Sequence, residues 1–397
     1  MNQFTEPPQD GETPPPPAPP SKPRLFATLG MVVTAIVVSF VMARDATSAA
    51  LIFAVILIGL VVAHEFAHFL TAKLFGVHVL EFGIGFPPKA WGFHIGETEY
   101  TINWLPLGGF VRLLGEEDPT HPRSLASHPR WQRFVVLASG SVMNLILPIV
   151  LFAFAFTIPH QESVGRAIIA EVVPDSPAAV AGLQQNDIIY SIGGRNAKNS
   201  IEAGRLIRLN LGHQTDIVVK RAAEFETITV TPRWTPPSGQ GPTGIRIAPQ
   251  YGFTETVSQP PWESLPNGLR TTFDTMILAR NEFISWFKGG SGPEVAGPVA
   301  IAQTTGEVAR DGGISPLLEL SALLSINLGI MNLLPLPMLD GGRVFFLLIE
   351  VARRGRRIAP EKEAMVHLVG FVLFLALAVV VTFADVSRIV NGDSLFR

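Results

Sequence analysis

Residues 51–76 read LIFAVILIGLVVAHEFAHFLTAKLFG, and two signals coincide in them. The apolar run exceeds the roughly 20 residues a helix needs, at about 1.5 Å per residue, to cross about 30 Å of hydrocarbon. Inside it, His64, Glu65 and His68 form a His-Glu-x-x-His pattern. On a helix the two histidines fall one turn apart on the same face, with Glu65 displaced by about 100°. Two imidazoles so placed can share one metal ion, and the carboxylate can hold a water beside it. A charged residue at mid-membrane costs about 2.5–3.5 kcal/mol on insertion scales, so this concentration of ionisable groups asks for a function.

The rest of the chain supports a membrane setting. Of 397 residues, 47% are hydrophobic and only 16% charged, a balance that favours a membrane protein. The net charge of −3 offers no concentrated basic face, so nucleic acid is not an expected partner. With no cysteine, disulfides and thiolate metal sites are excluded, and histidine and carboxylate remain as ligands. Five apolar runs are long enough to span: Leu25 to Met42, Ala49 to Leu74, Phe134 to Ile158, Leu317 to about Leu339, and Met365 to Phe383. Pro335 and Pro337 prevent a regular helix at the far end of the fourth. The first run can also be read as a signal peptide, because ARDATSAA supplies small residues after it. Ahead of it, EPPQDGETPPPPAPPSKP is proline-rich, polar and unable to bury a core.

Basic residues orient the spans. Lys73, Lys89, Arg112, Arg123, Arg130 and Arg133 lie in one connection, and Arg343, Arg353, Arg354, Arg356, Arg357 and Lys362 in another. The positive-inside rule makes both cytoplasmic and places the long segment from about Pro159 to Pro316 outside. Arg353 to Arg357 then read as a topology anchor beside anionic lipid.

Residues 164–233 carry strand and short-helix patterns, from VGRAIIAEVV to FETITVTP. The stretch VVPDSPAAVAGLQQNDIIYSIGG resembles a PDZ domain of the bacterial protease type. Such domains pair an extended peptide or a chain end with a sheet edge, although a ligand-free spacer fits the same pattern. RWTPPSGQGPTG follows as a linker. In residues 262–290, Trp262, Phe273, Ile277, Phe283 and Trp286 are spread along a helical pattern. It fits a helix on the membrane surface or against the spans, and equally an ordinary helix of the outer domain.

A catalytic zinc takes three protein ligands and one open position. The third candidate is Asp340 in SINLGIMNLLPLPMLDGGRV, residues 325–344, where two prolines precede the carboxylate and Gly341 and Gly342 follow. That composition permits an unwound backbone able to turn a short side chain toward another helix. Residues 79–114 contain VLEFGIGF, KAWGFHI, TEYTINWL and GFVRLL, which alternate like strands between GET and PLGG. An exposed edge there can present an extended substrate, or the hairpin can serve stability alone.

HEFAH, GETEYTINWLPLGGFVRLLGEED, GPVAIAQ and NLLPLPMLDGG, in that order and with an inserted PDZ pattern, resemble the site-2 protease family of intramembrane metalloproteases. The likeness extends to its bacterial type, which regulates sigma factors by cutting anti-sigma proteins, and covers roughly residues 49–385. It implies His64, His68 and Asp340 as zinc ligands, Glu65 as catalytic base, and Asn332 as a residue that holds substrate backbone. Asn144, in SGSVMNLILP, corresponds to the Asn of a Gly-Pro-x-x-Asn pattern, with Ser141 in place of the proline, and is the second substrate-binding candidate.

The expected fold is a polytopic α-helical membrane protein of about five spans, with a membrane-associated β-hairpin sheet and an inserted extracytoplasmic PDZ β-domain. Its expected parts are a disordered tail (1–23), an extra N-terminal transmembrane helix (24–44), an N-terminal half of the protease core (45–158), the PDZ domain (159–235), a linker with a membrane-adjacent helix (236–315), and a C-terminal half (316–390). The expected activity is zinc-dependent cleavage of single-pass transmembrane proteins in the cytoplasmic membrane of a bacterium, after their outer parts have been shed. Two rivals are clearance of signal-peptide remnants by the same chemistry and a non-catalytic PDZ scaffold.

Overall fold

The computed structural model describes residues 44–116, 118–251, 253–290 and 297–391. The expected tail and the run Leu25 to Met42 lie outside them. The chain divides into residues 1–48, of which only the opening of the first helix is described, and residues 49–397, which carry everything below. Among the described residues four helices are long and apolar enough to cross a membrane: Thr47–Leu74, Arg130–Thr157, Ile314–Leu333 and Pro360–Arg388. They coincide with four of the five expected runs.

Helix α1, Arg44–Leu74, ends with Lys73 in its last turn, where a cation suits the helix dipole. Gly76, at φ 79°, then reverses the chain, and the Val77 N–H returns to the Ala72 carbonyl at 2.9 Å. The next two strands, β1 (Val79–Ile95) and β2 (Thr98–Leu113), fold back on themselves. Glu81 to Ile84 lie opposite Arg112 to Gly109 on one side and beside Glu99 to Ile102 on the other, while Lys89 to Ile95 pair with Asn103 to Thr98. The hairpin is thereby a four-segment sheet, with 109–113 along one margin. Phe86, Trp91, Phe93, Ile102 and Leu105 are exposed on it, which suits contact with lipid.

Helix α2, Arg130–Thr157, buries Val136, Gly140, Asn144, Pro148 and Phe152 along one four-residue row. After it, β3 (His160–Ser163) begins a β-rich unit of β4 (Ala167–Val172), α3 (Pro177–Ala181), β5 (Ile188–Ile192), β6 (Arg195–Asn196), α4 (Ser200–Leu209), β7 (Thr215–Arg221), β8 (Glu224–Val230), β9 (Ile245–Pro249) and β10 (Thr254–Val257). The sheet order is β8-β7-β5-β4-β9, with β6 on β5, and β10 pairs separately with β3. Ile169, Ile189, Ile192, Leu206, Ile217 and Val219 fill its core. Strand β9 lies in the stretch expected to be linker, so this sheet reaches beyond residue 235. Its backbone pairs Ile247 with Ile169 and Ala248 with Ile168.

Helix α5, Pro261–Phe287, covers most of residues 262–290 and contacts both α2 and the β-rich unit. At its start, Gly268 packs on the α2 backbone, where a Cβ would come within 2.6 Å of the Ile149 carbonyl, and Thr157 Oγ1 donates to Ser264 Oγ. Farther along, buried Asp274 accepts from Arg195 at 2.8 and 2.6 Å and from Arg205. Asn281 then donates to the Arg208 and Leu209 carbonyls at the end of α4. One helix thus ties the β-rich unit to a span.

Helix α6 (Pro298–Gly312) is capped from afar, because buried Asp385 accepts from the N–H groups of Gly297 and Ala300. Helix α7 (Ile314–Leu333) lies along α2 through small residues: Ser315 and Ser325 donate to the Ala155 and Asn144 carbonyls, and Gly329 admits Leu145. It stops at Leu333, just ahead of Pro335, as the sequence requires. After a turn with Met338 at φ 71°, α8 (Asp340–Ala352) begins. A Cβ on Gly341 would lie 2.5 Å from the Leu333 carbonyl, so the glycine permits this tight return. Helix α9 (Pro360–Val390) closes the chain, and its His367 Nδ1 accepts the Met338 N–H at 2.7 Å.

One of the expected anchoring cations, Arg357, shares a specific partner with Arg130 and Arg133. Buried Glu350 accepts from Arg133 at 2.8 Å and Arg130 at 3.3 Å, with Arg357 at 3.5 Å. Burial alone would raise its pKa, but the Arg133 hydrogen bond and the surrounding guanidinium charge outweigh that and hold it below its ordinary value. This cluster fastens α8 to the start of α2.

Candidate metal centre

The histidines of α1 and the first residue of α8 meet beside α2. Asp340 Oδ2 lies 3.0 Å from His64 Nε2 and 3.3 Å from His68 Nε2, and the two Nε2 atoms are 3.2 Å apart. Both histidines are buried and Asp340 is half-buried. The ligand atoms of the three residues all lie within 4.8 Å of one another. A tetrahedral ion with bonds of about 2.0–2.2 Å keeps its ligand atoms about 3.3–3.6 Å apart, close to the separations here. The spacing and the two-nitrogen, one-oxygen donor set therefore fit zinc, with room for a fourth position.

Each ligand candidate is held from behind. The His68 ring nitrogen Nδ1 donates to the Val136 carbonyl at 2.7 Å. His64 Nδ1 lies 3.3 Å from the Asn144 amide nitrogen, and Ser141 Oγ donates to Asp340 Oδ2 at 3.4 Å. Both imidazoles rest on Gly140, where a Cβ would lie 2.6 Å from His64 Nε2. Bare backbone at that position lets α1 and α2 approach closely enough to bring the rings to Asp340.

Glu65 occupies a different sector. Its side chain is half-buried and points toward the sheet margin, where a Cβ on Gly109 would sit 3.5 Å from its Cγ. The adjacent glycines in PLGG allow this approach, Gly108 adopting φ 99°. Asn332 is half-buried near the end of α7, and its side chain makes no hydrogen bond among the described residues. Asn144, in contrast, is only 1% exposed and faces His64 rather than an open cleft. Sequence reasoning missed Val136, Gly140 and Ser141 as neighbours of the centre. The four-residue spacing of 136, 140 and 144 in an otherwise apolar helix was the available signal.

Comparison with known proteins agrees with the geometry. Residues 52–377 match the model for peptidase family M50. A Clostridium perfringens protein is 36% identical over 334 residues, covering 82% of this chain and 95% of its own. The zinc metalloprotease RasP of Oceanobacillus iheyensis is 31% identical over 413 residues, covering 83% of this chain and 96% of its own. The regulator of sigma-W protease RasP of Bacillus subtilis is 29% identical over 423 residues, with the same two coverages. Carrying a donor group suited to zinc among apolar helices and matching the family over most of its length, the chain belongs to peptidase family M50, the site-2 proteases, and is a zinc metalloprotease.

Proposed function

We propose that this protease cuts a peptide bond inside the transmembrane segment of a single-pass membrane protein, after that protein's outer part has been removed. The observation that carries the reading is the position of the donor group. His64 and His68 lie within a helix apolar enough to span, and Asp340 meets them beside a second such helix. A scissile bond must therefore come to them at membrane depth. The Bacillus subtilis relative is named a regulator of sigma-W, which favours anti-sigma proteins as the substrate class.

In this reading His64, His68 and Asp340 hold zinc and Glu65 is the catalytic base. Zinc bound there lowers the pKa of a coordinated water toward about 7 and polarises the scissile carbonyl. Glu65 accepts a proton from the attacking water as its oxygen adds to the carbonyl carbon. The same carboxyl returns that proton to the nitrogen as the C–N bond breaks. The sheet margin at 109–113 supports the alignment step, because a substrate strand added there runs past Glu65. Asn332, whose side chain makes no hydrogen bond among the described residues, is read as the residue that holds substrate backbone.

The β-rich unit is read as a PDZ domain on the extracytoplasmic side, and the centre as lying toward the cytoplasm of a bacterial inner membrane. An open groove of about 380 Å³ lies between α4 and edge strand β9, lined by Ile201, Gly204, Ile207, Ile245 and Ile247. It suits a peptide or chain end added to that edge. Mass-spectrometric mapping of products from shed and unshed single-pass substrates in proteoliposomes tests the proposal. Cuts inside the transmembrane stretch of shed substrates are expected, and cuts confined to soluble segments would refute it.

A further inference from the structure

The reading of His64, His68 and Asp340 as the zinc ligands has a consequence for Asn144. A neutral imidazole carries its proton on one ring nitrogen and offers a lone pair from the other. A ring that gives Nε2 to a metal therefore holds its proton on Nδ1 and needs an acceptor there. At His68 the acceptor is plain: a carbonyl can only accept, and the Val136 oxygen lies 2.7 Å from Nδ1. At His64 the side chain facing Nδ1 is the Asn144 carboxamide, with its nitrogen at 3.3 Å. Its oxygen, the acceptor that a metal-ligating His64 requires, is buried and has no hydrogen-bond partner. A half-turn of the carboxamide exchanges these two atoms of similar size.

We propose that Asn144 is a positioning residue of the metal centre, its side-chain oxygen accepting the Nδ1–H of His64 and leaving Nε2 bare toward the ion. Helix α2 then serves both imidazoles from one face. Val136 contributes a carbonyl to His68, Gly140 contributes the space in which the rings lie, and Asn144 contributes an acceptor to His64. The stripe at four-residue spacing fixes the orientation of both rings before any metal arrives. This assignment rests on the ligand set proposed above and gives Asn144 a role apart from substrate contact.

The test measures zinc affinity of the purified full chain in detergent by competition with a chromogenic chelator. Wild type is compared with Asn144→Leu, which keeps the branched shape and heavy-atom count without an acceptor, and with Asn144→Asp, which offers only acceptors. Asn144→Leu is expected to bind zinc about 10- to 100-fold more weakly, and Asn144→Asp to stay within about 3-fold of wild type. Asn144→Ala provides the same comparison where the leucine variant does not fold. Wild-type affinity in Asn144→Leu overturns the assignment, as does an equal loss in Asn144→Asp, which would show that the amide nitrogen matters instead. His68→Ala separates the two levels of the reading. If it keeps zinc, the ligand set itself is wrong; if it loses zinc while Asn144→Leu does not, only the role of Asn144 fails.

Discussion

Gly140→Ala adds a single methyl group where α2 passes beneath the two imidazoles. Its Cβ would lie 2.6 Å from both Cε1 and Nε2 of His64 and closer still to His68 Nε2. An ordinary contact between such atoms is about 3.5 Å, so His64 must retreat by about 0.9 Å and His68 by more. Metal sites tolerate ligand displacements of only about 0.2 Å, several times less than the methyl demands. The loss of zinc affinity should therefore reach at least the roughly 100-fold upper range of changes made behind the ligands. The helix itself gains, since alanine is favoured over glycine in a helix interior by about 0.8–1.0 kcal/mol. Moving two buried rings costs about 1–3 kcal/mol, more than the helix gains, so the metal-free protein should melt somewhat lower than wild type while chelator competition shows the larger loss of zinc binding. Zinc affinity within 3-fold of wild type would refute the close-approach reasoning, because the rings would then have room that the geometry denies them.

Asp274→Ala leaves Arg195 and Arg205 without their shared carboxylate in a partly buried cluster, and should lower stability by about 3 kcal/mol or more. Thermal melts in detergent measure it, and an unchanged melting temperature would show that α5 does not depend on this contact. Glu97 accepts from Arg123 at 2.6 and 2.7 Å and from Lys73 at 2.9 Å, and these partners pull its pKa from 4.5 down to about 2. Because the folded value lies below the ordinary one, its contribution to stability is complete above about pH 4.5 and fades as pH falls toward 2. Glu97→Gln should flatten the stability profile across that window, and parallel profiles for the two proteins would contradict this.

The apolar helices, the histidine pair and the carboxylate that meets it were legible because each rests on a local rule. Apolar length marks a span, i and i+4 mark one helix face, and Pro335 with Pro337 marks where α7 must stop. The resemblance added the roles, not the distances. What stayed hidden depends on packing between distant segments. Gly140 reads as one more small residue until α1 lies across it, and the Val136 carbonyl has no side-chain signature at all. Strand β9 was lost in a Pro/Gly-rich stretch because five residues are too few to show alternation, and its pairing with β4 is decided by the sheet edge. The β1/β2 region read as strands, yet its return to a second partner at Glu81 to Ile84 follows from turns that no single segment encodes. Residues 262–290 allowed two placements because their polar contacts, Asp274 to Arg195 and Arg205, join points 79 and 69 residues apart.

The most direct test of the central claim compares wild type with Glu65→Gln on one tagged, shed transmembrane substrate in proteoliposomes, with zinc content measured in both. The expected result is that wild type cuts within the transmembrane stretch while the variant retains its zinc and does not cut. Equal cleavage by the two proteins, or zinc-loaded wild type that cuts no shed substrate, would contradict the assignment of this centre as an intramembrane protease site.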